Sequence, residues 1–155
     1  MKILVVGGGG REHAIIRSLK KNPEVTEIFA CPGNGGIAKD ATCVAIDAKD
    51  IPAICDFAVA NKIDYAVVAP DDPLVLGLVD ELNSIGIDCF GPDKKAAIIE
   101  GSKAFSKSLM KKYNIPTAAF ETFEDYEAAL EYVKKGSFPV VLKYDGLAAG
   151  KGVGI

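Results

Sequence analysis

The chain has 155 residues, 49% of them apolar and 25% charged, with 16 Gly and 8 Pro. That is the composition of a globular protein of one domain or a domain and a half, and it excludes wholesale disorder and fibrous repeats. The net charge of −3 excludes a strongly basic nucleic-acid binder, and no apolar run approaches the ~20 residues of a membrane helix.

Lys2–Val6 is a short apolar run ending in glycines, which predicts a buried parallel strand. Arg11–Lys21 predicts a helix with Ile15, Ile16 and Leu19 on one face. Thr26–Ala30 predicts a second strand, stopped by the turn cluster Pro32–Gly36, and Thr42–Ile46 a weak third. Ile51–Asn61 reads as a helix and Tyr65–Ala69 as a strand. Pro73 stands where a helix begins, and Val75, Leu78, Val79 and Leu82 then keep i, i+3, i+4, i+7 spacing. Ile87–Phe90 predicts a fifth strand, closed by Gly91-Pro92. This alternation predicts an α/β fold with a doubly wound, mostly parallel sheet, whose ligands bind at the carboxyl ends of the strands.

After residue 100 the rhythm changes. Ser102–Tyr113 predicts a helix ended by Ile115-Pro116, and Thr117–Thr122 a strand. Thr122–Asp125 reads as a capping sequence ahead of the apolar stripe Tyr126, Ala129, Leu130 and Val133. Pro139–Lys143 predicts another strand, followed by glycine-rich Asp145–Gly154. Residues 1–100 carry 10 Lys and Arg against 15 Asp and Glu, whereas residues 101–155 carry 8 against 6. The change of sign predicts a boundary there, with a basic second part suited to an anionic ligand. The expected organisation is an α/β domain over 1–101 and, over 102–155, the opening of a larger domain cut at Ile155.

Cys31, Cys43, Cys55 and Cys89 form no C-x-x-C pair and there is one His, which excludes a Cys/His zinc site. Buried free thiols in a reducing compartment are expected. Met1–Val6 runs straight into glycines without a cleavage site, so no secretory signal is expected and the location is read as cytoplasmic.

Two glycine-rich loops carry the chemistry. Gly7–Gly10, between a strand and the helical turn of Arg11, Glu12 and His13, is a ready anion site. It departs from a dinucleotide fingerprint: Glu12 takes the last glycine position of G-x-G-x-x-G, and Ala30-Cys31-Pro32 offers no carboxylate to a ribose. A small phosphorylated ligand is the better reading, beside a purely structural turn. Arg11 either forks a phosphate or stays solvated; His13 either donates to it or packs locally. Asp71 and Asp72 hold ribose hydroxyls or an amine, or only supply helix N-terminal charge ahead of Pro73.

The second loop is Gly146-Leu147-Ala148-Ala149-Gly150-Lys151-Gly152. Three residues separate Gly146 from Gly150 where a P-loop needs four, and Gly152 replaces the metal-binding hydroxyl. What remains is a loop able to close over phosphates. Lys143 ends the preceding strand, and Lys103, Lys107 and Lys111 share one helical face, either a solvated stripe or a wall for a triphosphate.

Taken in order, Gly7–Ala14 (GGGGREHA), Pro32–Gly36 (PGNGG), Phe90-Gly91-Pro92, Glu100–Lys107 (EGSKAFSK) and Leu142–Val153 (LKYDGLAAGKGV) resemble the glycinamide ribonucleotide synthetase (phosphoribosylamine–glycine ligase) family of ATP-grasp ligases in purine biosynthesis. The resemblance implies a Rossmann-like pre-ATP-grasp domain followed by the start of an ATP-grasp domain. It implies an ADP-forming carbon–nitrogen ligase that joins glycine to 5-phosphoribosylamine through glycyl phosphate. Gly8, Gly9, Gly10, Arg11, Glu12 and His13 would face the sugar phosphate, and Pro70, Asp71 and Asp72 would line the same cleft. Lys103 and Lys143 would contact the ATP phosphates, with Gly146, Leu147, Ala148, Ala149, Gly150, Lys151 and Gly152 covering them. The catalytic groups, and the family's metal-binding Glu and Asn, are expected beyond Ile155, so no metal ligand is assigned here. The full-length enzyme would use ATP with Mg or Mn and small-molecule substrates, without nucleic acid or membrane. The isolated chain is expected to fold without catalysing; the alternative is a module that binds a phosphate ligand or nucleotide and never catalyses. The chain departs from the family's usual residues at Gly8 (Asn), Asp71 (Glu) and Tyr144 (Ala).

Overall fold

The apolar run after Met1 becomes the middle strand of a sheet. In the computed structural model, which describes residues 1–148 and 151–155, the chain divides into two compact units, Met1–Ala97 and Ile98–Ile155. The first holds β1 (Lys2–Gly7), β2 (Glu27–Pro32), β3 (Thr42–Cys43), β4 (Tyr65–Val68) and β5 (Asp88–Phe90). All four pairings are parallel, in the order β3-β2-β1-β4-β5.

Both faces of this sheet are covered, which is why its strands read as continuous apolar runs. Leu4 and Val6 of β1 pack to one side with Phe29, Cys31, Ala66 and Val68; Ile3 and Val5 pack to the other with Ile28, Ala30 and Val67. α1 (Gly10–Leu19) covers the second side through Ile16. α2 (Ile51–Ala60) covers the first through Ile54 and Ala58. After α3 (Asp71–Leu76), α4 (Leu78–Ser84) adds Leu78, Val79 and Leu82 to that side. A fully buried Leu or Ile stabilises by roughly 1.5–3 kcal/mol. A side-chain cap contributes about 1 kcal/mol. Packing therefore decides α1, whose N-cap is Gly9 and has no side chain to offer.

The helix expected from Pro73 onward is two helices. Gly77 adopts φ +101°, a left-handed turn that closes α3 while its N–H donates to the Pro73 and Leu74 carbonyls. Val75 thus falls on α3 and is half-buried, whereas Leu78, Val79 and Leu82 are buried. α5 (Lys94–Gly101) was not anticipated; its signal is Asp93, whose carboxylate accepts the Ala96 N–H at 2.8 Å. Burial of all four thiols was expected, but only Cys31 is buried. Cys43 is exposed because β3 is an edge strand, and Cys55 and Cys89 are half-buried.

The second unit holds α6 (Lys103–Lys112) and α7 (Tyr126–Lys135), capped by Ser102 and Asp125, which accept the Phe105 and Ala128 N–H groups. β6 (Leu142–Lys143) and β7 (Val153–Gly154) form an antiparallel pair. The strand expected over Thr117–Thr122 is absent. Lys107 instead holds that segment, donating to Thr117 Oγ1 at 2.6 Å and to the Ala118 carbonyl at 3.2 Å, with its ammonium over the Phe120 ring. The strand expected over Pro139–Lys143 is cut to Leu142–Lys143 because its partner β7 is two residues long. No described helix is long and apolar enough to cross a membrane.

Candidate functional site

The connections from β1 leave it flanked by β2 on one side and β4 on the other, so its carboxyl end lies at a topological switch point, where open α/β sheets leave a crevice. A cleft of about 360 Å³ opens there. Gly7, Gly8, Gly9 and Glu12 line it from the β1–α1 loop, Pro32 from β2, Asp47–Lys49 from the loop after β3, and Pro70, Asp72 and Pro73 from the chain after β4. Of the residues read from sequence, Gly8, Gly9, Glu12, Pro70 and Asp72 are brought together here. Gly10, Arg11, His13 and Asp71 are not in the lining, and Arg11 is exposed. Asp47–Lys49 were missed. Their signal was the predicted third strand, since every loop that follows a strand of a parallel sheet opens at the same end.

Glu12 is the buried charge of this site, 3% exposed. Its Oε2 accepts the Gly9 N–H at 2.6 Å, so a carboxylate closes the N-terminus of α1 in place of the missing cap side chain. Its other oxygen, Oε1, is buried and has no hydrogen-bond partner. Asn34 holds the glycine loop from the other side. Its Nδ2 donates to the Gly8 carbonyl at 2.7 Å, and its Oδ1 accepts the Gly36 and Ile37 N–H groups at 2.7 and 2.9 Å. A Cβ at Gly8 would stand 2.6 Å from the Gly33 carbonyl oxygen, so an Asn there requires the backbone to move.

His13 is engaged away from the cleft. Its Nε2 lies 2.8 Å from Asp40 Oδ2, and Lys20 Nζ lies 2.8 Å from Asp40 Oδ1. Lys20 and then His13, both hydrogen-bonded to it, draw the Asp40 carboxyl down to about 2. Burial pushes the Cys31 thiol, beside Pro32, up to about 11, which excludes it as a nucleophile at neutral pH. A second hollow of about 570 Å³, past the ends of β4 and β5, is lined by Val68, Leu74, Cys89 and Phe90 among others. Its only titratable side chain is Cys89, also raised to about 11 by burial, so it offers no comparable chemistry.

In the second unit the start of the other glycine loop is fastened to the first turn of α6. Lys103 Nζ donates to the Gly146 carbonyl at 2.6 Å. Asp145 accepts the Ala104 N–H and the Ser102 hydroxyl, each at 3.1 Å, and the Ala104 bond above all lowers its carboxyl below the ordinary value. β6 and β7 make the base of a hairpin, with the Tyr144 N–H donating to the Gly152 carbonyl and the Lys151 N–H to that of Ala148. Gly146, Leu147, Ala148, Lys151 and Gly152 therefore lie in one hairpin loop. Lys143 is exposed at its base, and half-buried Lys103 bonds its first glycine. Ala149 and Gly150, read as part of the same loop, lie outside the described residues. Lys107 is committed to the 117–118 segment. Among the described residues no three His, Cys, Asp or Glu side chains cluster so as to hold a metal ion.

Residues 1–100 match the family model of the phosphoribosylglycinamide synthetase N domain, and residues 101–155 that of the ATP-grasp (A) domain of the same enzyme. A phosphoribosylamine–glycine ligase of Caldanaerobacter subterraneus subsp. tengcongensis is 53% identical over 153 residues, covering 99% of this chain and 37% of that protein. The crystal structure of a phosphoribosylamine–glycine ligase from Thermotoga maritima matches with a TM-score of 0.74 at 35% identity, over 99% of this chain and 35% of that one. The biotin carboxylase domain of the 2-oxoglutarate carboxylase of Hydrogenobacter thermophilus shares the fold, with a TM-score of 0.78 at 22% identity over 98% of this chain and 36% of that one. The chain spans about a third of the length of the curated relatives it matches. Since two consecutive domain models of one enzyme match it from end to end, the chain belongs to the phosphoribosylglycinamide synthetase family.

Proposed function

We propose that this chain is the substrate-binding end of an ATP-dependent carbon–nitrogen ligase that joins glycine to 5-phosphoribosylamine. The observation that carries this reading is the consecutive match to the N and ATP-grasp domains, with 53% identity to a protein named phosphoribosylamine–glycine ligase. In this reading residues 1–101 receive phosphoribosylamine at the cleft of Gly8, Gly9, Glu12, Pro70 and Asp72, while Gly10, Arg11, His13 and Asp71 stand outside its lining. Residues 102–155 open the ATP-grasp domain.

Lys103, Lys143 and the loop 146–152 attend the triphosphate. The residues suit it: an ammonium has three donors, and Lys103 spends one on the Gly146 carbonyl. A glycine-rich hairpin adds backbone N–H groups at close approach. Mg or Mn would offset charge on the transferred phosphate; the resemblance assigns its ligands to later strands.

The reaction follows from the substrates. A glycine carboxylate oxygen attacks the γ-phosphorus of ATP, the bond to ADP breaks, and glycyl phosphate forms. The amine nitrogen of phosphoribosylamine attacks the acyl carbon, phosphate leaves, and the nitrogen sheds a proton as the amide forms. A loop closed over the phosphates keeps water from the acyl phosphate. We assign the reaction to the cytoplasm, supported by four cysteines that are all free, with small molecules as its partners.

The test is ADP release by the full-length protein that carries this chain. Sustained release over many turnovers is expected only with glycine and phosphoribosylamine both present; sustained release with either alone, or none with both, overturns the reading. The isolated 155-residue chain is expected to fold and release none.

A further inference from the structure

We infer that the cleft beside Gly7–Gly9 receives the hydroxyl and amine edge of its sugar substrate, with Glu12 Oε1 as an acceptor, and that the substrate's phosphate is held elsewhere. This rests on reading the cleft as the phosphoribosylamine site.

A glycine loop at a helix N-terminus is by default a phosphate site, and the sequence alone supports that default. Three observations turn it around. The N-terminus of α1 already carries an anion, because Glu12 Oε2 takes the Gly9 N–H at 2.6 Å. A phosphate placed there would meet a buried carboxylate at hydrogen-bond range. The remaining ionisable groups of the lining are Asp47 and Asp72 against Lys49 alone, so with Glu12 the cleft is acidic. Arg11, the residue that could fork a phosphate, is exposed and outside the lining.

A fourth observation selects the occupant. Glu12 is 3% exposed and its Oε1 has no donor within the chain. A buried acceptor left without a donor is costly, and such atoms in native proteins are met by water or a ligand. Lys49 is the one cationic donor of the lining and does not reach Oε1, and the rest is glycine, proline, alanine and carboxylates, so the donor is assigned to the occupant of the cleft. Sugar hydroxyls and an amine carry N–H and O–H groups; the dianion of a sugar phosphate ester carries none on its phosphate.

The experiment is calorimetric titration of the full-length protein with ribose 5-phosphate and, separately, with inorganic phosphate, in the wild type and in Glu12→Gln. Gln keeps an oxygen for the Gly9 N–H and puts an NH2 donor where Oε1 stood. Ribose 5-phosphate is expected to bind about tenfold or more weakly to the variant. Inorganic phosphate is expected to bind both proteins alike. If phosphate sits at the glycine loop, removing the charge strengthens both ligands, and the inference falls. Asp72→Asn, at an exposed residue, keeps the test open should Glu12→Gln unfold. It is expected to weaken ribose 5-phosphate in the same direction, and strengthening overturns the inference. Unchanged affinity in the variants also overturns it. A wild type that binds no ribose 5-phosphate overturns the substrate reading beneath it as well, and the ADP assay shows that separately.

Discussion

Asp40 ties the short turn after β2 to the helix after β1. Its oxygens take Lys20 Nζ and His13 Nε2, each at 2.8 Å, and its carboxyl falls from the ordinary 3.8 to about 2. The folded value lies below the unfolded one, so this contribution is fully present above about pH 4 and is lost as pH falls through about 2. Urea midpoints of the wild type should therefore decline over that acid window. Asp40→Asn should lower the midpoint at neutral pH and remove its share of the decline; a variant with the wild-type acid slope would contradict the account. Glu12 is the other residue whose partner decides its meaning. In the sequence it is the residue that spoils a dinucleotide fingerprint; in the fold it caps a helix with one oxygen and leaves the other unmet.

Among the elements, α1 and α6 begin in opposite ways. α1 has a glycine cap and depends on packing, with Ile16 fully buried. α6 buries none of its residues and leans on Ser102, whose oxygen accepts the Phe105 N–H at 3.1 Å while its hydroxyl donates to Asp145. Ser102→Ala removes both bonds. It should cost about 1 kcal/mol in chemical denaturation of the second unit. It should also raise the Asp145 carboxyl toward its ordinary value in a carbon-13 NMR titration, since the Ser102 bond is one cause of its depression. The Ala104 N–H, the larger cause, stays, so a complete return to the ordinary value is not expected.

For the molecule as a whole, burial is unevenly shared. Every buried apolar residue among the described ones lies between Ile3 and Ala97, within the first unit. Amides that open only with global unfolding are drawn from such a core. Hydrogen exchange of the 155-residue chain should therefore show its slowest amides in β1, β2 and β4, with residues 103–155 exchanging faster. Equal protection in both units would mean that the second is stabilised by something other than buried apolar contacts.

The sequence by itself determined the five strands of the first unit and the helices α1 and α2, because a sheet buried on both faces writes continuous apolar runs and its connections write turn residues. It also determined the family, since GGGGREHA, EGSKAFSK and LKYDGLAAGKGV stand in order along the chain. Short elements with few neighbours were read poorly: Thr117–Thr122 has strand-forming residues, yet a lysine of α6 holds the segment in place of a neighbouring strand. Only the tertiary structure decided what the cleft contains. Periodicity reports which face of an element is buried, not which loops meet when parallel strands end side by side. That meeting brings Asp47–Lys49 to the glycine loop, sets Asn34 against the Gly8 carbonyl, and buries Glu12 with one oxygen still to be paired.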